Sequence, residues 1–167
     1  MNIYVVRHGE SISNAGGYVA YPHTGLSEKG KMDSFKLGER LKRESVKIDA
    51  VYCSSLFRAL QTLDQMLQGG LKVSPQDIHI TNLIEEINRA EFCGHPSTKY
   101  YAAKEASGGT PGEFRPVGGE SENDVKERAI RFKNLLDDKN HRNILVITHG
   151  HFIAHFVKLF NLSGFGH

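Results

Sequence analysis

The chain has 167 residues, with 21 Lys+Arg against 19 Asp+Glu and a formal net charge of +2 with histidines neutral. Hydrophobic residues at 39% and charged residues at 24% suit one globular domain able to bury a core without disulfides or metals, and exclude a disordered tail or a collagen-like repeat. No apolar run approaches the roughly 18 residues that span a bilayer, and the basic residues alternate with acids instead of forming the block expected of a nucleic-acid partner.

Ile3 to Arg7 is an apolar, β-branched run that predicts a buried strand, after which Gly9 and Gly16-Gly17 mark a loop. Ser27 can cap a helix reaching Glu44, with Met32, Phe35, Leu37 and Leu41 at roughly helical spacing. Ala50 to Ser54 predicts a second strand, Leu56 to Gln68 a helix closed by Gly69-Gly70, and Ile78 to Thr81 a weaker third strand. From Asn88 to Gly119, Pro96, Pro111, Pro116 and scattered glycines predict a surface excursion in which only Thr98 to Ala106 has a helical pattern.

Ser121 opens a helix with Asp124 at the capping-box position and Val125, Ala129, Phe132 and Leu136 on one face. Ile144 to Thr148 is the clearest strand, and beyond Gly150 a final helix is expected through Leu162. Strands alternating with helices predict an α/β fold of three layers, α/β/α, with a mainly parallel sheet flanked by helices, in a single domain over residues 1–167. The N-terminus, Met-Asn-Ile-Tyr-Val-Val-Arg-His, has neither a basic region nor a cleavage site, which points to the cytoplasm. Cys53 and Cys93 are too few for a disulfide framework and are expected to be reduced.

Ligands of open parallel sheets bind beyond the carboxyl ends of the strands. Here those ends carry Arg7-His8-Gly9, Ser54-Ser55 leading to Arg58, a segment leading to Glu85-Glu86, and Thr148-His149-Gly150. Two histidines, two arginines and a carboxylate converging on one edge suit a phosphate ester. Guanidinium forks grip phosphoryl oxygens and neutralise charge that develops in transfer, an imidazole can act as nucleophile, and a carboxylic acid can protonate the leaving oxygen. Plainer readings exist for single residues. Arg58 could pair with Asp64, Asn14 could cap a loop, Glu120 and Ser121 could serve only to cap the helix, and Cys93 could be a small packing residue. His149, His151 and His155 resemble a metal cluster, but the last two would share a helix face that need not converge with His149.

Taken together, Arg7-His8-Gly9-Glu10-Ser11 with Asn14, Leu26-Ser27-Glu28-Lys29-Gly30, Ser55-Leu56-Phe57-Arg58-Ala59 with Gln61-Thr62, Gly118-Gly119-Glu120-Ser121 and Thr148-His149-Gly150-His151 resemble the histidine phosphatase superfamily, also called phosphoglycerate-mutase-like. The matches run in family order from residue 3 to about residue 160. The resemblance implies that His8 attacks phosphorus to form a phosphohistidine that water hydrolyses. It implies that Arg7, Arg58 and His149 surround the phosphoryl oxygens, with Asn14, Thr24 and Gly150 as further substrate contacts. Glu86, eight residues before Gly94, would be the proton donor and later the acceptor, with Glu85 as its adjacent competitor; no metal or other cofactor is implied.

Two activities compete under that resemblance. A cofactor-dependent phosphoglycerate mutase must shield its phosphohistidine, and mutases resembling this chain carry a longer insertion after the acid. The short excursion here favours a phosphomonoester hydrolase acting on a small phosphorylated metabolite. A binding module without turnover is the third reading, and the intact set of Arg7, His8, Arg58, Glu86 and His149 argues against it. Two features depart from the family pattern. Ala90 stands where many members have glycine, and the chain stops soon after its last helix where many relatives add a strand, so that either the chain is truncated or the sheet is one strand short; a missing strand would expose an edge that favours association of copies.

Overall fold

In a computed structural model describing residues 1–160, four strands form one sheet: β1 (Asn2–Arg7), β2 (Ala50–Ser54), β3 (Ile78–Thr81) and β4 (Asn143–Thr148). Their spatial order is β1-β4-β2-β3, and every pairing is parallel. The register sets Arg7 opposite Thr148, Cys53 opposite Ile147 and Ser54 opposite Thr81, so all four carboxyl ends meet along one edge. Each chain segment that leaves this edge therefore starts beside the others.

The helices are α1 (Ile12–Gly16), α2 (Glu28–Arg43), α3 (Phe57–Gln68), α4 (Ser97–Ala106), α5 (Glu122–Asp137) and α6 (Gly150–Phe156). Because successive strand residues point to opposite faces, β2 and β4 build two cores. Ala50, Tyr52, Ile144 and Val146 pack with Val125, Phe132, Phe152 and Phe156 of α5 and α6. Val51, Cys53, Leu145 and Ile147 pack with Leu41, Ala59, Leu63 and Met66 of α2 and α3. This is the three-layer α/β/α arrangement expected from the alternation of elements. The central strands β2 and β4 are almost wholly buried, as strands covered on both faces must be.

The expected face of α2 is only partly the one that packs. Met32 is exposed, whereas Gly30, Ser34, Gly38 and Leu41 are buried. A Cβ on Gly38 would lie 2.2 Å from the Met66 carbonyl oxygen of α3, and one on Gly30 would lie 2.1 Å from the Glu10 carbonyl oxygen. Backbone-to-backbone approach through missing side chains, not a stripe of large apolar residues, seats this helix. By contrast α5 follows its pattern: Ser121 and Asp124 form the capping box, and Val125, Ala129, Phe132 and Leu136 are fully buried.

The excursion after β3 is partly ordered as a 3-10 turn, Ala90–Phe92, and α4, around a small cluster of Val19, Phe92 and Tyr100. The final helix ends at Phe156 and continues as a 3-10 turn, Val157–Phe160; the remainder of the helix expected through Leu162 lies outside the described residues. Among the described residues no helix is long and apolar enough to cross a membrane.

Candidate active site

His8 is the first residue after β1, and its backbone N–H continues the ladder to the Thr148 carbonyl at 2.9 Å. The next residue must be small, because a Cβ on Gly9 would lie 2.5 Å from the Gly30 carbonyl oxygen and 2.6 Å from Ser34 Oγ on α2. His8 Nδ1 lies 2.6 Å from the Gly9 carbonyl oxygen. A carbonyl only accepts, so Nδ1 carries the proton and Nε2 keeps its lone pair. Arg58 Nε donates to that Nε2 at 3.3 Å, and Arg58 Nη1 reaches the Tyr21 carbonyl at 3.3 Å. Burial, with smaller contributions from Arg58 and Arg7 and against the Gly9 hydrogen bond, lowers the His8 pKa to about 4. The ring is therefore neutral near pH 7.

His149 caps α6 and is wholly buried, its ring 4.9 Å from that of His8. Its Nε2 lies 2.7 Å from Ser54 Oγ, which already accepts from the Leu56 N–H. With the Ser54 hydroxyl donating to Nε2, the imidazole proton sits on Nδ1. Nδ1 is buried and has no hydrogen-bond partner. A buried N–H without an acceptor is costly, and an anion beside His8 would supply the acceptor. Burial and then the Arg58 charge hold the His149 pKa well below its ordinary value.

The carboxylates come from the segment after β3, which is held from two sides. Thr148 Oγ1 donates to the Ile84 carbonyl at 2.6 Å, and Arg128 Nη1 donates to the Leu83 and Glu85 carbonyls at 2.8 and 3.1 Å. Arg128 also pairs with both carboxylate oxygens of Glu120, at 2.9 and 3.0 Å, and Glu120 accepts from the Asn88 N–H at 3.0 Å. Glu120 therefore bridges the start of α5 to the carboxylate segment. Glu85 accepts from the Ser55 hydroxyl. Glu86 Oε1 accepts from the backbone N–H groups of Ile87 and His151 at 3.0 and 3.1 Å, while Oε2 and Arg7 Nε each lie 3.8 Å from where a Gly150 Cβ would sit. Burial pushes the Glu86 carboxyl up, but the hydrogen bonds it accepts, from His151 first and then the Ile87 N–H, hold the group ionised below the ordinary carboxylate range.

A cleft of about 570 Å³ opens at this edge, and Arg7, His8, Asn14, Arg58, Glu86 and Gly150 all line it. His149 lies behind His8 and not on the cleft wall. Asn14 Oδ1 is engaged by Ser11, from N at 3.1 Å and Oγ at 2.8 Å, in the capping box of α1. Its amide nitrogen remains for a ligand. Thr24 is buried and outside the cleft lining; its hydroxyl accepts from the Tyr21 N–H at 2.9 Å and closes the turn whose Tyr21 carbonyl holds Arg58.

Of the basic residues in and beside the excursion after β3, Arg89 reaches the cleft, Lys99 does not line it, and Arg115 pairs with Asp124 at 2.8 Å. Arg58 meets His8 and not Asp64. Half-buried Cys93 donates to the Ala20 carbonyl at 3.4 Å, and burial raises its thiol pKa. Among the described residues no three His, Cys, Asp or Glu side chains are grouped to hold a metal, and His149 Nε2 is engaged by Ser54. Arg128 belongs to none of the sequence motifs, although a charged residue three after Val125 and four before Phe132 falls on the buried face of its helix. Ser54 stands at a strand end in the sequence, but nothing there marks it as the partner of His149.

Comparison with known proteins gives a match to the family model described as the histidine phosphatase superfamily (branch 1), over residues 3–163. Among curated proteins, the 2,3-bisphosphoglycerate-dependent phosphoglycerate mutase of Bartonella henselae is 29% identical over 93 residues, 55% of this chain and 45% of that protein. The chain thus spans less than half the length of this relative. Among solved structures, the following two each cover 95% of the chain. The alpha-ribazole phosphatase from Shigella flexneri has a TM-score of 0.79 at 24% identity, with 79% of it covered. Bacillus stearothermophilus YhfR has a TM-score of 0.77 at 28% identity, again with 79% covered.

Proposed function

Because the chain belongs to the histidine phosphatase superfamily, we propose that it hydrolyses phosphomonoesters of small metabolites through a phosphohistidine on His8. The observation that carries this reading is the state of His8: its Nδ1 is tied to the Gly9 carbonyl, its unprotonated Nε2 faces Arg58, and the ring of His149, whose Nδ1 is unpartnered, lies 4.9 Å away. A phosphoryl group placed there meets a nucleophile, two guanidiniums and a buried imidazole donor together.

In the first step His8 Nε2 forms the N–P bond in line with departure of the ester oxygen. Arg7 and Arg58 neutralise the phosphoryl oxygens, with the His149 Nδ1–H, the Asn14 amide and the Gly150 N–H as further donors. Thr24 contributes through the turn that holds Arg58. Glu86 is ionised by itself; the charge of a phosphoryl group beside it raises its proton affinity, so it takes up a proton with substrate and delivers it to the leaving oxygen. In the second step the same carboxylate accepts a proton from the attacking water as the N–P bond breaks and phosphate leaves. The short excursion between residues 88 and 119 supports hydrolysis over a mutase reaction, since it offers little to shield a phosphohistidine from water.

The test is turnover of a chromogenic phosphomonoester in excess chelator, with acid-labile phosphate labelling of the enzyme. Both are expected in the native protein and both are lost in His8→Ala. Labelling that survives in His8→Ala overturns the nucleophile assignment, and interconversion of 3-phosphoglycerate in the presence of a bisphosphoglycerate primer, without release of phosphate, establishes the mutase instead.

A further inference from the structure

His151 occupies the second position of α6 and lines the cleft, between two groups of opposite charge. Its Nε2 lies 3.3 Å from Arg89 Nη2, and its Nδ1 lies 3.4 Å from Glu86 Oε1. Arg89 itself is held firmly. Its guanidinium stacks 4.3 Å from the centroid of the buried Tyr100 ring, and Nη2 also donates to the Tyr101 hydroxyl at 3.3 Å.

A guanidinium has only donors. At this contact His151 Nε2 must accept, which makes the imidazole neutral and puts its proton on Nδ1, facing Glu86. Oε1 of Glu86 accepts the Ile87 N–H and the His151 N–H, and the imidazole Nδ1 faces the same oxygen at 3.4 Å. Oε2 has only a long approach from the His151 N–H, at 3.5 Å, and lies, like Arg7 Nε, 3.8 Å from where a Gly150 Cβ would sit.

We propose that His151 is a positioning residue for the Glu86 carboxyl: fixed in the Nδ1–H tautomer by Arg89, it occupies Oε1 and reserves Oε2 for the proton exchanged with the leaving group. The proposal rests on the phosphatase reading and adds to it a chain of three groups, Arg89 to His151 to Glu86, that decides which oxygen does the chemistry. Without it the carboxyl can rotate and present either oxygen, and the geometry of proton delivery is lost for those esters that need it.

The experiment compares 4-nitrophenyl phosphate, whose phenolate leaves without help, with ethyl phosphate, whose alkoxide needs a proton. His151→Phe keeps the ring volume and removes the donor. It is expected to lower kcat for ethyl phosphate by about 10- to 100-fold, a share of a general-acid effect, with KM and the nitrophenyl reaction within about 3-fold of the native protein. His151→Asn, whose side-chain amide reaches the place of Nδ1, restores most of the ethyl phosphate rate. Arg89→Leu acts in the same direction, and its effect is not additive with His151→Phe. Equal slowing of both esters, no change in their ratio, or failure of Asn to restore the rate overturns the proposal while leaving the phosphatase reading standing. A native protein inert towards both esters overturns the phosphatase reading itself.

Discussion

The Arg58 guanidinium is held against the His8 ring, Nε to Nε2 at 3.3 Å, although the two residues are 50 positions apart in the chain. The contact exists because β1 and α3 both emerge at the carboxyl edge of the sheet, and because the Tyr21 carbonyl holds the other end of the guanidinium. Arg58→Lys keeps the charge but not the planar fork. It is expected to lower kcat/KM for an aryl phosphate by about 100-fold, the scale for loss of an oriented transition-state donor, with the unfolding temperature nearly unchanged. A loss below about 3-fold would show that charge alone suffices.

Acid should weaken the fold through the buried histidines. In the unfolded chain a histidine binds a proton near pH 6.5, whereas burial keeps His8 neutral until about pH 4. Between those values the unfolded state binds the extra proton, so stability is complete above about pH 6.5 and falls as the pH drops towards 4. His149 adds a loss of the same sign. His8 by itself accounts for about 3 kcal/mol of this loss. Urea denaturation at pH 7 and pH 4.5 measures it, and the His8→Asn protein should show the smaller difference; an identical slope in the two proteins would contradict the assignment.

Ala90 has a φ of +39°, in the left-handed region where a Cβ is strained, and its N–H is held by Asn88 Oδ1 at 2.9 Å. Glycine relieves that strain at some cost in unfolded-chain entropy. Ala90→Gly is expected to stabilise the protein by about 0.5–1 kcal/mol, read as an increase in the denaturation midpoint. A decrease would mean that the alanine methyl packs favourably enough to outweigh the strain.

Glu120 and Arg128 form a largely buried bidentate pair that also anchors the carboxylate segment. Glu120→Gln leaves a buried guanidinium without its counter-charge. It should cost about 2–3 kcal/mol, below the range for fully buried pairs because Glu120 retains some solvent contact, and should slow alkyl phosphates more than aryl phosphates. Equal effects on both ester classes would confine the pair to a stabilising role.

Much of the fold was legible because it rests on local chemistry. β1, β2 and β4 are dense in β-branched and apolar residues, α5 carries its capping box and apolar face within one stretch, and Ala90 stood out where a left-handed backbone was needed. What resisted reading depends on partners far along the chain. The packing face of α2 is decided by where the backbones of Glu10 and Met66 lie, so Met32 points to solvent. Thr24 serves a turn instead of the cleft, and Arg128 is buried by carbonyls 43 and 45 residues away.

By itself the sequence determined which residues stand at the ends of the strands, since periodicity and turn chemistry place Arg7, His8, Arg58, Glu86 and His149 at element boundaries. Only the tertiary structure decided that these boundaries share one edge, through the order β1-β4-β2-β3 and its parallel register. It alone decided their protonation, because a proton affinity depends on burial and on the nearest charges, and both are created when distant segments pack together.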